Sequence, residues 1–309
     1  MSGPVVVLGP TASGKSDVAM AAAMAVTAGG SDRVEIVAVD AMQVYRGMDI
    51  GTAKPTSADR AAVAHHAIDL VGPDQDFTVA EFAAAADAAI ADIERRGRRP
   101  LLVAGTGLYL RAITDPMEMP GVWPAVRAEL EARLDQERPE VLHAELARLD
   151  PVAAARIEPG NGRRTVRALE VCLGSGRPFS SYGPGLDSYP PSRFVQIGLR
   201  WSRAELARRI EARVHQMMAG GLLAEVTMLA AGPPLSRTAR QALGYKELLE
   251  HLDGRVSLDQ AVDMIILRTR QFAVRQERWF RRDPRIQWVD IHDDPVAEVV
   301  PVVLEVIAR

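Results

Sequence analysis

Eight residues near the amino terminus hold the clearest chemistry in this chain. Gly9, Pro10, Thr11, Ala12, Ser13, Gly14, Lys15 and Ser16 fit the phosphate-loop pattern G-x-x-x-x-G-K-[ST] at every fixed position. Such a loop curls so that successive backbone N–H groups point inward at phosphate oxygens, helped by the positive end of the helix that follows. Lys15 can reach a terminal phosphate, and the Ser16 hydroxyl is placed to bind Mg²⁺, an oxygen-seeking ion that bridges phosphates. The pattern specifies a polyphosphate, not ATP. A kinase, a nucleoside triphosphatase and a transferase that releases diphosphate must all stabilise charge on departing oxygens. Asp40 is the second candidate. It ends the apolar run at 34–39, where it can hold Mg²⁺ through water, act as a general base, or cap a turn. The polar, glycine-containing stretch 46–55 that follows suits a substrate wall.

The elements that must position these groups can be read from the apolar periodicity. Residues 5–8 form a short buried strand, and the alanine-rich stretch 16–28 is a helix stopped by Gly29-Gly30. Residues 34–39 form a second strand. Thr78 and Glu81 make a capping box for a helix reaching about Arg96, closed by Gly97. A third strand at 101–104 leads into the turn Gly105-Thr106-Gly107 and a short helix. Strands alternating with helices predict an α/β fold, a P-loop NTPase-like parallel sheet covered on both faces. Ligands of such sheets sit in the crevice at the carboxyl ends of the strands. From 123 to 174 the pattern is helical only, with helices at 124–136, 139–149, 151–157 and 163–173. A Gly, Pro and Ser-rich loop follows at 174–191. A strand at 193–199, long helices from 202 to about 282, a strand at 286–290 and a helix at 295–308 complete the chain. The domains expected are a core of residues 1–116 and 191–309 and a helical insertion at 117–190.

Composition narrows the class further. Of the 309 residues 48% are hydrophobic and 25% charged, as in an ordinary globular protein. No apolar run approaches the ~20 residues needed to cross a bilayer. The start lacks a basic segment and runs straight into the phosphate loop, so no signal peptide and a cytoplasmic location are expected. The single cysteine, Cys172, excludes an internal disulfide and a cysteine-based zinc site. A net charge of −3 does not announce nucleic acid. Three of the 37 basic residues are lysines (Lys15, Lys54, Lys246), an arginine bias that a G+C-rich genome would also produce.

Several runs together resemble the bacterial tRNA dimethylallyltransferase (tRNA isopentenyltransferase) family. They are residues 9–16, the run Val39-Asp-Ala-Met-Gln-Val-Tyr-Arg-Gly-Met-Asp-Ile-Gly-Thr-Ala-Lys-Pro55, His65-His66 with Asp69, and Gly105-Thr-Gly-Leu-Tyr109. Arg167-Ala-Leu-Glu-Val171, Gly244-Tyr245, Arg268-Thr-Arg-Gln271 and Arg275-Gln276 continue the likeness over nearly the whole chain. The run 39–55 is far more specific than a phosphate loop. Two departures are small: Ala41 stands where many members have serine, and Ala104 where a second glycine is common.

The resemblance implies transfer of a dimethylallyl group from dimethylallyl diphosphate to the exocyclic amine of the adenosine 3′ to the anticodon, in tRNAs reading codons that begin with U. It implies Mg²⁺ as cofactor, the tRNA anticodon stem-loop as partner, no membrane, and a monomer. Residues 9–16 would hold the diphosphate and Ser16 the metal, with Asp40 as the base. Thr106 matches a position touching substrate, and Arg127, grouped with these two as catalytic, matches a tRNA contact. Taken alone, Thr106 could cap a helix and Arg127 could be a solvated helix arginine. The tRNA contacts implied are Asp40, Ala41, Met42, Gln43, Thr106 and Arg127, then Arg163, Arg164, Thr165, Val166 and Arg167, then Arg240, Gln241, Ala242, Leu243, Gly244 and Tyr245. Gln43 carries an amide able to read a base edge.

In the last long helix Arg268, Arg275 and Arg282 recur every seven residues, with Arg278 beside them. They form either a phosphate-binding stripe or a solvated face, and Phe272 and Trp279 beside them are read as core. His65 and His66 are read as structural or hydrogen-bonding, since adjacent residues do not share a helix face and no third ligand stands at metal spacing. A P-loop small-molecule kinase and a non-enzymatic RNA-binding protein are the competing readings. No lid arginines for a kinase can be identified, and the helical block at 117–190 argues against prenylation of free adenine nucleotides.

Overall fold

The computed structural model describes residues 3–28, 34–183, 185–186 and 188–308. The chain divides into two compact units, one of residues 1–115 and 191–309, the other of residues 116–190. The Gly29-Gly30 helix stop lies outside the described residues.

The first unit begins with β1 (Val5–Leu8), α1 (Lys15–Ala28), β2 (Val34–Val39), α2 (Ser57–Ala62), β3 (His65–His66), α3 (Val79–Arg95), β4 (Arg99–Ala104) and α4 (Gly107–Thr114). The second unit contains α5 (Pro124–Gln136), α6 (Pro139–Leu149), α7 (Pro151–Arg156) and α8 (Gly162–Ser175). The chain then returns to the first unit with β5 (Val195–Arg200), α9 (Arg203–Ala219), α10 (Leu222–Ala231), α11 (Arg237–Arg240), α12 (Tyr245–Leu252), α13 (Leu258–Phe280), β6 (Ile286–Asp290) and α14 (Pro295–Ala308). The helical stretch after residue 202 is broken where Gly221 takes a φ of 99° and again at Gly232-Pro-Pro. The two-residue strand β3 and the short helix α2 were not expected, because neither carries enough residues to show a period.

Six parallel strands form one sheet in the order β3-β2-β4-β1-β5-β6. Alternate residues supply its two faces. Val6, Leu8, Val37, Val39, Leu102 and Ala104 face one buried cluster that includes Phe82 of α3 and Leu248 of α12. Val5, Val7, Ile36, Leu101, Ile197 and Leu199 face the other, which includes Val18 of α1 and Val303 of α14. Burial on both faces explains why β1 and β2 read as unbroken apolar runs. The α3 entry is held by the Thr78/Glu81 box.

Register matters most for the site. Ala104 pairs with Leu8 on one side and with Val39 on the other. The next residues are Gly105, Gly9 and Asp40, so three loops leave the sheet side by side at one level.

The second unit has its own core of Leu130, Leu142, Leu146, Val166 and Leu169. Its joints are polar: Asp150 caps α7 through the Ala153 N–H and also accepts from the Ser180 N–H and hydroxyl.

Candidate active site

The phosphate loop is fixed from behind by four groups. The Gly9 N–H donates to the Ala104 carbonyl, and the Trp201 indole donates to the Ser13 carbonyl at 2.9 Å. Arg209 Nε donates to the Ala12 carbonyl at 2.9 Å while its guanidinium stacks on Trp201. The Gln276 Oε1 accepts from the Thr11 N–H at 2.9 Å. Ala12 and Gly14 have φ of 62° and 88°, the left-handed turns that let neighbouring N–H groups face one point. At Gly14 any side chain would also meet Pro295, 2.6 Å from a Cβ.

Lys15, half-buried in the first turn of α1, is surrounded by enough protein that desolvation lowers its ammonium to about 8. The Arg213 charge lowers it further, while Asp40 and Asp17 oppose the shift. Arg213 itself lies on α9 and is shifted down by desolvation, with Asp17 and Asp40 again opposing. Unlike the arginines at most other positions, it makes no ion pair among the described residues. Sequence reasoning missed it. The available signal was Arg209 and Arg213, one helical turn apart on the helix after β5, a neighbour of β1.

Asp40 is oriented by its own loop. Its Oδ1 accepts from the N–H groups of Met42 (2.8 Å) and Gln43 (3.3 Å). Its Oδ2 lies 3.3 Å from where a Gly105 Cβ would stand, and Lys15 Cε lies equally close to that point. Gly105 is therefore the floor over which the carboxylate and the lysine meet. Thr106 sits at the cap position of α4 but makes no capping bond; its Oγ1 accepts from the Ala41 N–H at 3.2 Å instead. The cap interpretation of Thr106 does not hold. Its hydroxyl proton is left to donate. Trp279 of α13 packs directly on Gly107, where any Cβ would strike its ring.

The 43–55 stretch is stapled from within and from α10. Glu225 accepts from the N–H groups of Asp49, Ile50 and Gly51 and from the Tyr245 hydroxyl at 2.5 Å. Buried Lys54 donates to the Tyr45 carbonyl, to Asp49 and to Asp69. Gln43 Nε2 donates to the Thr52 and Ala53 carbonyls, so only its Oε1 is left to read a base. His65 bonds the Val63 carbonyl, and His66 meets Glu35, which Arg96, first of all, and Arg98 hold at about 2.

The remaining sequence-derived positions separate by exposure. Arg163, Arg164, Arg240 and Gln241 are exposed, and Leu243 is half-buried. Thr165, Val166, Ala242 and Tyr245 are buried, their side chains packed into the interior. Gly244 holds a φ of 89° and donates its N–H to Glu247. Arg167 is spent on the Pro120 and Gly121 carbonyls and on Glu170. Arg127 belongs to the second unit, where it pairs with Glu131 and approaches Glu170. Of the α13 stripe, Arg268 is tied to buried Glu247, whereas Arg275 and Arg278 are exposed. Trp279 packs against the core as expected; Phe272 does not, and lies half-buried with the Arg275 guanidinium over its ring.

Three loops at the carboxyl ends of β1, β2 and β4 thus bring together an anion nest, Lys15 and a free carboxylate oxygen, with Arg213 added from α9. A profile of the IPP transferase family matches residues 43–283. The chain belongs to the IPP transferase family. Its relatives include the tRNA dimethylallyltransferases of Kineococcus radiotolerans, 49% identical with 96% of each chain covered, and of Geobacter metallireducens, 50% identical with 93% of this chain and 92% of the other covered. Among solved structures, the tRNA isopentenylpyrophosphate transferase of Bacillus halodurans is 37% identical with a TM-score of 0.69, over 100% of this chain and 96% of that one. A eukaryotic dimethylallyltransferase crystallised acting on tRNA is 25% identical with a TM-score of 0.77, over 94% and 74%. The family match begins after the phosphate loop and Asp40, which the full-length relatives span.

Proposed function

We propose that this chain is a tRNA dimethylallyltransferase, moving a dimethylallyl group from its diphosphate to the N6 amine of the adenosine beside the anticodon. The observation that carries the chemistry is the shared register of Leu8, Ala104 and Val39, which sets the nest and Asp40 at one level. In the reaction the allylic C–O bond breaks and its electron pair leaves with the diphosphate. The N6 lone pair forms the new C–N bond, and the N6 proton goes to Asp40 Oδ2.

Loop N–H groups, held from behind by Trp201 and Arg209, act with Lys15 and Arg213 as donors set in place in advance for the charge that develops on the departing diphosphate. Adenine N6 is a poor nucleophile, since its lone pair is delocalised into the ring. Removal of its proton by a positioned base is worth about 10²–10⁴-fold. Oδ1 is tied to two backbone N–H groups, so Oδ2 is the oxygen free to act. The base must be unstacked to reach it, at a few kcal/mol, less in a loop than in a duplex.

The nest also suits Mg²⁺ arriving with the diphosphate. Among the described residues the exposed Ser16 hydroxyl has no hydrogen-bond partner, and no cluster of three acidic, histidine or cysteine ligands exists to hold a metal alone. Ser16 would hold the ion, which when bound neutralises diphosphate charge. Exposed Arg163, Arg164 and Arg240 suit RNA phosphates. No helix among the described residues is long and apolar enough to cross a membrane.

The test mixes protein, Mg²⁺, dimethylallyl diphosphate and unmodified tRNA. N6-isopentenyladenosine in the digested RNA is expected, and Asp40→Asn should lower the rate about 10²–10⁴-fold with tRNA affinity intact. ATP turnover without prenylated RNA would instead indicate a kinase.

A further inference from the structure

We propose that Gln276 is a positioning residue that fixes the separation between the diphosphate nest and the proton acceptor. This rests on the transferase reading above. Gln276 is 7% exposed and uses both ends of its amide. Its Oε1 takes the Thr11 N–H in the phosphate loop at 2.9 Å, and its Nε2 donates to the Gly105 carbonyl at 2.7 Å. The two loops it joins are the ones whose contents must meet. The first holds the leaving group. The second, through Gly105 and Thr106, carries the floor beneath Asp40 and the hydroxyl that holds the Ala41 N–H.

The sheet alone sets this separation only where the strands end. Beyond Leu8 and Ala104 the direct tie is the Gly9 N–H to the Ala104 carbonyl at 3.3 Å, a long bond at the base of both loops. Gln276 adds the crosslink two residues further out on the phosphate loop. One turn along α13, Trp279 presses on Gly107, so a single helix face braces the 105–107 turn at both ends. Because Gln276 occupies the Thr11 N–H, that amide is withdrawn from the phosphate, which leaves the N–H groups after it to form the nest. Loss of Gln276 therefore spares the groups that bind diphosphate and loosens their alignment with Asp40. Misplacement of reacting groups by about 1 Å can cost 10²-fold in rate.

The predicted signature is a split between rate and affinity. Gln276→Met keeps length and burial but removes both bonds. Gln276→Glu keeps an acceptor for Thr11 and sets a carboxylate against the Gly105 carbonyl. We expect the single-turnover rate of tRNA prenylation to fall roughly 10–100-fold in the Met variant. Its Kd for Mg²⁺-pyrophosphate, measured by calorimetry, should stay within about threefold, and tRNA affinity should be unchanged. The Glu variant should lose the same rate and bind pyrophosphate more weakly as well, since it adds negative charge beside the nest. A Met variant with wild-type rate overturns the proposal. So does a Met variant whose rate and pyrophosphate affinity fall together in step with its melting temperature. Wild-type protein that prenylates no tRNA overturns the functional reading instead, and that arm is read first.

Discussion

Two sets of basic residues in the first unit are used in opposite ways. Around the phosphate loop, among the described residues, the Lys15 ammonium donates only to the Pro10 carbonyl, at 3.4 Å, and Arg213 makes no ion pair. Along the 43–69 stretch every lysine and arginine is consumed: Lys54 meets two carboxylates and a carbonyl, Arg60 meets Asp69, and Arg46 donates to the Asp69 and Leu70 carbonyls. On α13 Arg268 is likewise bound to buried Glu247. A desolvated cation without a protein partner costs folding free energy, so it persists where a ligand supplies the anion. A saturated cation holds the backbone. Partnering, not charge or sequence neighbourhood, separates the binding set from the structural set.

The contrast is sharpest if one member of each set is neutralised. Arg213→Met should weaken Mg²⁺-pyrophosphate binding about 10- to 100-fold, since a charge-assisted contact is worth about 1.5–3 kcal/mol. Its unfolding midpoint in denaturant should hold or rise, because a partly desolvated charge is removed. An Arg213→Met protein that binds pyrophosphate normally but melts early would place Arg213 among the structural cations and break the distinction.

Lys54→Met should do the reverse. It strands the Tyr45 carbonyl and leaves Asp49 and Asp69 without their shared ammonium. We expect a stability loss of about 2 kcal/mol, softened because Asp69 keeps Arg60. Pyrophosphate affinity should be unchanged, as measured by calorimetry below the unfolding range. Weaker pyrophosphate binding in this variant would mean that the 43–55 stretch also shapes the nest.

These assignments explain what could be read from the chain. The phosphate loop was legible because its chemistry is local: eight contiguous residues specify a turn, a nest and a helix start. The strand 34–39 was legible as an apolar run, and the helices 124–136 and 139–149 from the proline that opens each. Arg213 and Gln276 were not read as site residues because they act across long sequence separations, 265 positions in the case of Gln276 and Thr11. The resemblance brought Tyr245 into the RNA set, yet its place in the run is explained by Glu225 and by the missing Cβ of Gly51, against which its ring lies. A run shared within a family marks a constraint without saying whether the constraint is contact or packing.

The smallest effect tests the binding set through its proton. Lys15 has an ammonium lowered to about 8 from an ordinary 10.5. A bound diphosphate favours the charged form, so the complex holds a proton that the free site loses above pH 8. Affinity should therefore be full below about pH 8 and weaken as pH rises, by at most tenfold per unit. Pyrophosphate titrates too, so the comparison is with Lys15→Arg, which keeps its charge throughout. The ratio of wild-type to variant affinity should be flat from pH 6 to about 8 and fall above it. Folding carries the opposite sign. Between about 8 and 10.5 the unfolded chain holds the Lys15 proton and the folded chain does not, so this group makes the free protein more stable as pH rises. Binding that weakens while stability gains over one pH window is what a desolvated, unpaired lysine requires.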